Sequence, residues 1–264
     1  MPQSIGFDKK RHLCRITLNR PEAGSAISIQ MARDIEQVSH RINQDQDIRA
    51  VVVTGSGARA FCLGEDLDAL SLAVGGDSPF SSLVDDSAPH VNVPAMIASI
   101  ECPVTAAING DASGTGLALA LACDLRIASD RSAFCVPDVS RGCLMSSGIT
   151  QLLPRIVGRG KAIEMILTSR PIDAHEALRV GLVHRLTPHD RVLVEAEKLA
   201  SQIASAAPLA LRYVKEAINK GMDLTLAQGL RLECDLYMIL QTTQDRVEGI
   251  TAFREKRPPH FAGE

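Results

Sequence analysis

Val104-Thr-Ala-Ala-Ile-Asn-Gly-Asp-Ala-Ser-Gly-Thr-Gly-Leu-Ala-Leu-Ala-Leu-Ala122 decides the fold class. Its apolar start, Val104 to Ile108, reads as a strand, Asn109-Gly110 turns, and Leu117 to Ala122 suits a helix buried on all sides. The same alternation lies upstream. Cys14-Arg-Ile-Thr-Leu18 alternates apolar and polar as a half-buried strand, and Asn19-Arg-Pro21 ends it. Ser28 then predicts a helix N-cap, with Met31, Ile35, Val38 and Ile42 forming one apolar stripe. Ala50-Val-Val-Val-Thr54 is continuously apolar up to Gly55, as expected of a strand covered on both faces in a parallel sheet. Leu125 to Ala128 and Phe134 to Val136 read as two more short strands, and Gly75 to Pro89 as a mobile polar loop.

From about Ser147 the signals turn helical: Gln151 to Ile156, Lys161 to Thr168, Asp173 to Arg179, Asp190 to Ala204, Leu209 to Lys220 and Leu224 to Gln241. Strands early and helices late predict an α/β core followed by a helical C-terminal part.

Composition removes several function classes. Only 3% of the 264 residues are aromatic, with no Trp, which argues against ligands stacked on rings. A net charge of -3 lacks the basic footprint of a nucleic-acid binder. Met1 to Lys10 has no apolar core of a signal peptide, and the apolar stretch from Ala112 to Cys123 falls short of the roughly 20 residues that cross a bilayer. A cytoplasmic chain with no membrane or nucleic-acid partner is expected. The seven cysteines are scattered without a C-x-x-C pair and read as reduced thiols, most of them small core residues. The His residues are equally dispersed, and no metal site is expected.

Two glycine clusters stand out. Gly55-Ser-Gly57-Ala-Arg-Ala60 mimics a dinucleotide fingerprint, but Gly64 interrupts before a helix could form. A plain turn after a buried strand is the simpler reading. Gly110-Asp-Ala-Ser-Gly114-Thr-Gly116 leads directly into the apolar helix, so its N-H groups gather where partial positive charge accumulates. Such a turn either binds an oxyanion or simply packs tightly.

Set beside Leu18-Asn-Arg-Pro21, Ala60-Phe-Cys-Leu-Gly-Glu-Asp-Leu67, Ala122-Cys-Asp124, Phe134-Cys-Val-Pro-Asp138, Gly158 to Thr168, Ala177 to Val183 and the ending Ala252-Phe-Arg-Glu-Lys-Arg-Pro-Pro259, these clusters make the chain resemble the crotonase, or enoyl-CoA hydratase/isomerase, superfamily. The resemblance implies a crotonase-like ββα spiral over residues 1-200 that binds acyl-CoA, and a helical trimerisation segment over 201-264. Homotrimers or hexamers, as dimers of trimers, are implied as well. The CoA thioester is then substrate, with no further cofactor.

In the family, two backbone N-H groups hold the thioester oxygen while an enolate forms, as donors aimed at developing charge. The match puts these at Glu65 and Thr115, with Gly64, Asp66, Leu67, Gly114 and Pro137 around them. Ala23, Gly24 and Ala26 resemble the turn that contacts the adenine end of CoA. Lys256 and Arg257 are candidates for phosphate contact or a solvated basic tail.

One departure limits the reaction. Hydratases of the family use two glutamates, and the corresponding positions here are Ala118 and Asp138. Without the first, Asp138 stands as sole acid/base, an arrangement similar to the family's double-bond isomerases. An atypical hydratase, a decarboxylase or hydrolase of the superfamily, and a non-catalytic acyl-CoA-binding protein are the other readings. Asp138 could also merely cap the turn after Pro137. The Glu65 side chain, Asp68, Arg141, Cys143 and Ser146 are further pocket candidates, and His90 a weaker one.

Overall fold

The computed structural model describes residues 4–66, 93–144 and 147–264. The first chain segment forms a hairpin of β1 (Ile5–Lys10) and β2 (Leu13–Leu18), then α1 (Ile29–Gln44). The Ser28 hydroxyl caps α1 by accepting from the Met31 N-H. Met31, Ile35 and Ile42 are buried along its inner face.

β3 (Ala50–Gly55), β5 (Val104–Ile108) and β7 (Leu125–Ser129) extend the hairpin into a six-stranded sheet ordered β1-β2-β3-β5-β7-β10, where β10 is Arg185–Thr187. Every pairing after the first hairpin is parallel. Parallel strands are covered on both faces, and β3 shows this with the period of two that a strand imposes. Val51 and Val53 face the main core, while Ala50 and Val52 pack on the small residues Ala196, Ala200 and Ala204 of α7 (Val192–Ala204).

A second sheet is built from short strands ordered β4-β6-β8-β9: β4 is Ala60–Cys62, β6 Asp111–Ser113, β8 Ala133–Cys135 and β9 Ile172–Asp173. The chain thus turns from β3 into β4 and enters no helix there, which disposes of the dinucleotide fingerprint. α2 (Val93–Ala98) and α3 (Thr115–Ala122) pack against each other within the main core. α3 is apolar all round, and Thr115 through Leu121 are buried.

The buried Arg126 on β7 secures the C-terminal end of α3. Its guanidinium donates to the carbonyls of Ala120, Leu121 and Cys123 and to Leu182 O. These are the carbonyls a helix end leaves unsatisfied.

Beyond the sheets come α4 (Ile149–Val157), α5 (Arg159–Thr168), α6 (Ala174–Arg179), α8 (Pro208–Gly221), α9 (Leu226–Leu240) and α10 (Gln244–Glu255). The helical reading of this half is corrected at β9 and β10, which are strands; β10 returns to the edge of the main sheet. Lys215 of α8 anchors this half to the core by pairing with Asp124 at 2.8 Å and donating to Ile100 O and Cys102 O. Several apolar side chains on α8 to α10 remain exposed, among them Phe253, Met222, Leu226 and Val247. Among the described residues no helix is long and apolar enough to cross a membrane.

All seven cysteines are free. Burial pushes the Cys14, Cys62 and Cys123 thiols up to about 12 and Cys102 to about 11. They stay protonated at neutral pH, and a protonated thiol is a poor nucleophile. In native protein at pH 7.5, iodoacetamide is therefore expected to modify the exposed Cys143 and to spare those four until the chain is unfolded. Peptide mass mapping reads the result; fast labelling of Cys62 in folded protein would contradict it.

Candidate active site

The site lies where the glycine clusters meet the second sheet. Residues 24 to 27 run beside 63 to 66: Leu63 N donates to Gly24 O at 3.1 Å, Ile27 N to Gly64 O at 2.8 Å, and Asp66 N to Ile27 O at 3.1 Å. Arg20 fastens this ladder, donating to Ala26 O at 2.9 Å and pairing with Asp66 at 2.7 Å. In a parallel bridge the residue opposite Ile27 keeps its own N-H outside the ladder, and that residue is Glu65. Gly64 sits at φ +100°, and a Cβ there would lie 3.1 Å from Ser113 O and 3.6 Å from Thr115 N. Only glycine lets the two segments approach so closely.

Thr115 is the first residue of α3, and Gly114 before it is the N-cap. No side chain caps this helix start, so the N-H of Thr115 is one of the donors a helix leaves without an internal partner. The Gly64-Glu65 segment thus runs close to the Thr115 N-H, at a helix start where the dipole gathers partial positive charge. Thr115 is 5% exposed, and its hydroxyl donates to Glu65 Oε1 at 3.1 Å.

Asp138 completes the cluster. A Cβ at Gly114 would lie 3.7 Å from Asp138 Oδ2 and 4.0 Å from Pro137 Cδ. The Asp138 backbone carbonyl accepts from Arg141 N and Cys143 N, holding the turn Val139–Arg141. Its side chain makes no capping bond, so the capping reading of this carboxylate does not hold. Oδ2 is buried without a hydrogen-bond partner among the described residues. A buried carboxylate oxygen left unsatisfied is costly and calls for a partner.

The remaining candidates separate clearly. Ala23, Gly24 and Ala26 lie in the turn that Leu63 and Arg20 hold against the Glu65 strand. Ala118 is fully buried in α3, one turn from Thr115. Arg141 and Cys143 are exposed, and among the described residues the Cys143 thiol bonds to Arg141 O alone, with no base beside it. Arg257 is engaged within its own chain: its guanidinium grips Glu248 at 2.6 and 2.8 Å and Glu255 at 2.6 Å. These contacts raise the Arg257 pKa and draw the Glu248 carboxyl down to about 2. Lys256 is exposed beside it. Leu67, Asp68, His90, Ser146 and the loop from Gly75 to Pro89 lie outside the described residues.

Sequence reasoning did not find Arg20 and Asp66 as a pair; the only signal was the Leu18-Asn-Arg-Pro21 motif itself. A cavity of about 510 Å³ between Ala98 to Glu101 and α8 is separate, since none of the candidate residues lines it. Among the described residues no group of three or more His, Cys, Asp or Glu could hold a metal ion.

Comparison with known proteins agrees with this architecture. Residues 8–264 match the enoyl-CoA hydratase/isomerase family. YngF of Bacillus subtilis, described by that family name, is 42% identical over 265 residues and the match covers 100% of both chains. The (E)-benzylidenesuccinyl-CoA hydratase of Thauera aromatica is 37% identical, with 98% of this chain and 99% of that one covered. The crystal structure of an enoyl-CoA hydratase from Bacillus anthracis superposes with a TM-score of 0.93 at 36% identity, covering 99% of this chain and 100% of that one. The chain is an enzyme of the enoyl-CoA hydratase/isomerase family, within the crotonase superfamily.

Proposed function

We propose that the protein binds acyl-CoA thioesters and stabilises their enolates, with the Glu65 and Thr115 amides as the oxyanion hole and Asp138 as the acid/base at C2. The observation that carries this reading is the buried Asp138 Oδ2, without a partner among the described residues, next to the uncapped start of α3. Backbone donors tolerate a Glu and a Thr at these positions, because side-chain identity leaves the N-H unchanged. Removing one such donor in other enzymes costs about 10² to 10³ in rate, which sets the weight of each amide. As the enolate forms, charge moves from C2 to the thioester oxygen, and Asp138 takes or returns a proton at carbon. That chemistry serves double-bond migration or addition and loss of water. CoA would lie along the turn at Ala23, Gly24 and Ala26. The exposed Phe253, Met222 and Leu226 support a trimer-based assembly that buries these helices.

A panel of acyl-CoA thioesters, analysed by mass after incubation, separates the reactions. Isomerisation conserves mass and hydration adds water, and one or both are expected. Loss of carbon dioxide or release of free CoA would instead favour a decarboxylase or hydrolase.

A further inference from the structure

Ala118 removes a carboxylate from α3, but a carboxylate does stand at the site on another element. Glu65 Oε1 accepts from the buried Thr115 hydroxyl at 3.1 Å. Thr115 is also the residue whose amide belongs to the oxyanion pair in the function proposed above, on which this inference rests. A hydrogen bond from a nearly buried hydroxyl holds the Glu65 carboxylate in one place, whereas a freely solvated Glu would sample many rotamers. Tracing from a thioester oxygen on the Thr115 N-H, across that residue to its hydroxyl and on to Glu65, spans roughly 6 to 9 Å at ordinary hydrogen-bond lengths. The straight-line separation is shorter than this traced path, and a water held by the Glu65 carboxylate at about 2.8 Å extends toward the carbons beside the thioester. Asp138 approaches the same helix start beside Gly114.

We infer that the Glu65 carboxylate, positioned by the Thr115 hydroxyl, is the second proton-transfer group of the site, and that it equips this chain to add water to enoyl-CoA despite Ala118. The steps balance. Glu65 takes a proton from water as the water oxygen bonds to C3. The C2=C3 π pair moves to C2 and the thioester oxygen as an enolate. The enolate then takes a proton from Asp138 at C2, giving the 3-hydroxyacyl thioester. Glu65 ends protonated and Asp138 ionised, and exchange with solvent restores both.

Electrostatics favours this role over a spectator one. A carboxylate that stayed ionised this close to the oxyanion hole would oppose the enolate charge. One that takes up a proton while the enolate forms becomes neutral at that moment.

The test uses 2-butenoyl-CoA with the full chain. Hydration is followed by product mass, and proton exchange at C2 of butanoyl-CoA in D2O by NMR. Glu65→Gln is expected to lower hydration about a hundredfold, mostly in kcat, while C2 exchange stays level or rises. Thr115→Val is expected to lower hydration kcat about tenfold with KM little changed, and Thr115→Ser to recover most of it. Glu65→Gln hydrating at the wild-type rate, or losing hydration and exchange equally, would overturn the inference. Wild-type protein that exchanges at C2 but never hydrates also overturns it and leaves the enolate reading standing. Wild-type protein that does neither overturns the enolate reading itself.

Discussion

Asp138→Asn is expected to bind acyl-CoA about as well as the wild-type chain and to turn it over about 10² to 10⁴ times more slowly, the usual weight of a positioned acid/base. Asn matches Asp in shape, so the turn at Val139–Arg141 survives, held as it is by the backbone carbonyl of residue 138. The side chain itself contributes no hydrogen bond to that turn, and Oδ2 has no described partner to lose. Folding should therefore change little, and the loss should appear in kcat with KM nearly constant, as for a group used only in the chemical step. Thermal melting and calorimetric titration with a saturated acyl-CoA control for fold and binding. A variant that keeps wild-type kcat on every thioester the parent accepts would remove Asp138 from the mechanism.

The second large effect is structural. At Gly116 an added Cβ would sit 2.1 Å from Cys62 O and 2.7 Å from Cys62 C. Both obstacles are rigid backbone of β4, which pairs with β6 directly before α3. Gly116→Ala must push the helix and strand apart, at a cost of about 3 kcal/mol, the upper part of the range for overpacked cores. A melting temperature roughly 6 to 12 °C lower is expected for a chain of this size. Because that strand leads to Glu65 and that helix begins at Thr115, the gap between the amides widens as well. Activity should fall even in the fraction that stays folded, since misplacement by about 1 Å can cost a hundredfold. An unchanged melting temperature would contradict the close packing of α3 on β4.

Where the chain's own periodicity determined structure, the fold was legible. α1 needed only Ser28 and its stripe, and β3 only its unbroken apolar run. β1 escaped because Ile5 and Phe7 alternate too briefly to stand out, and its strand character depends on pairing with β2. β10 is three residues long and owes its place to β7. α10 has a Thr243 cap but little amphipathic contrast, and only Asp245 and Ala252 of its residues are buried.

The site divides in the same way. Its glycines and Asp138 were visible as motifs, whereas the contact between Thr115 and Glu65 joins residues 50 positions apart. Arg126 looked like one polar residue in a short strand, and its role depends on α3 ending beside it. Lys215 is likewise defined by the carbonyls of Ile100 and Cys102, more than a hundred residues away. No local pattern encodes such meetings.

Proton exchange at C2 of butanoyl-CoA isolates the step proposed for the two amides and Asp138, formation of an enolate from an acyl thioester. This saturated substrate has no double bond to move or hydrate, so exchange requires only enolate formation and reversal. Incubated with wild-type protein in D2O, it is predicted to gain deuterium at C2, and with Asp138→Asn to gain almost none. Butanoyl-CoA that binds the wild-type protein yet takes up no deuterium would contradict the account.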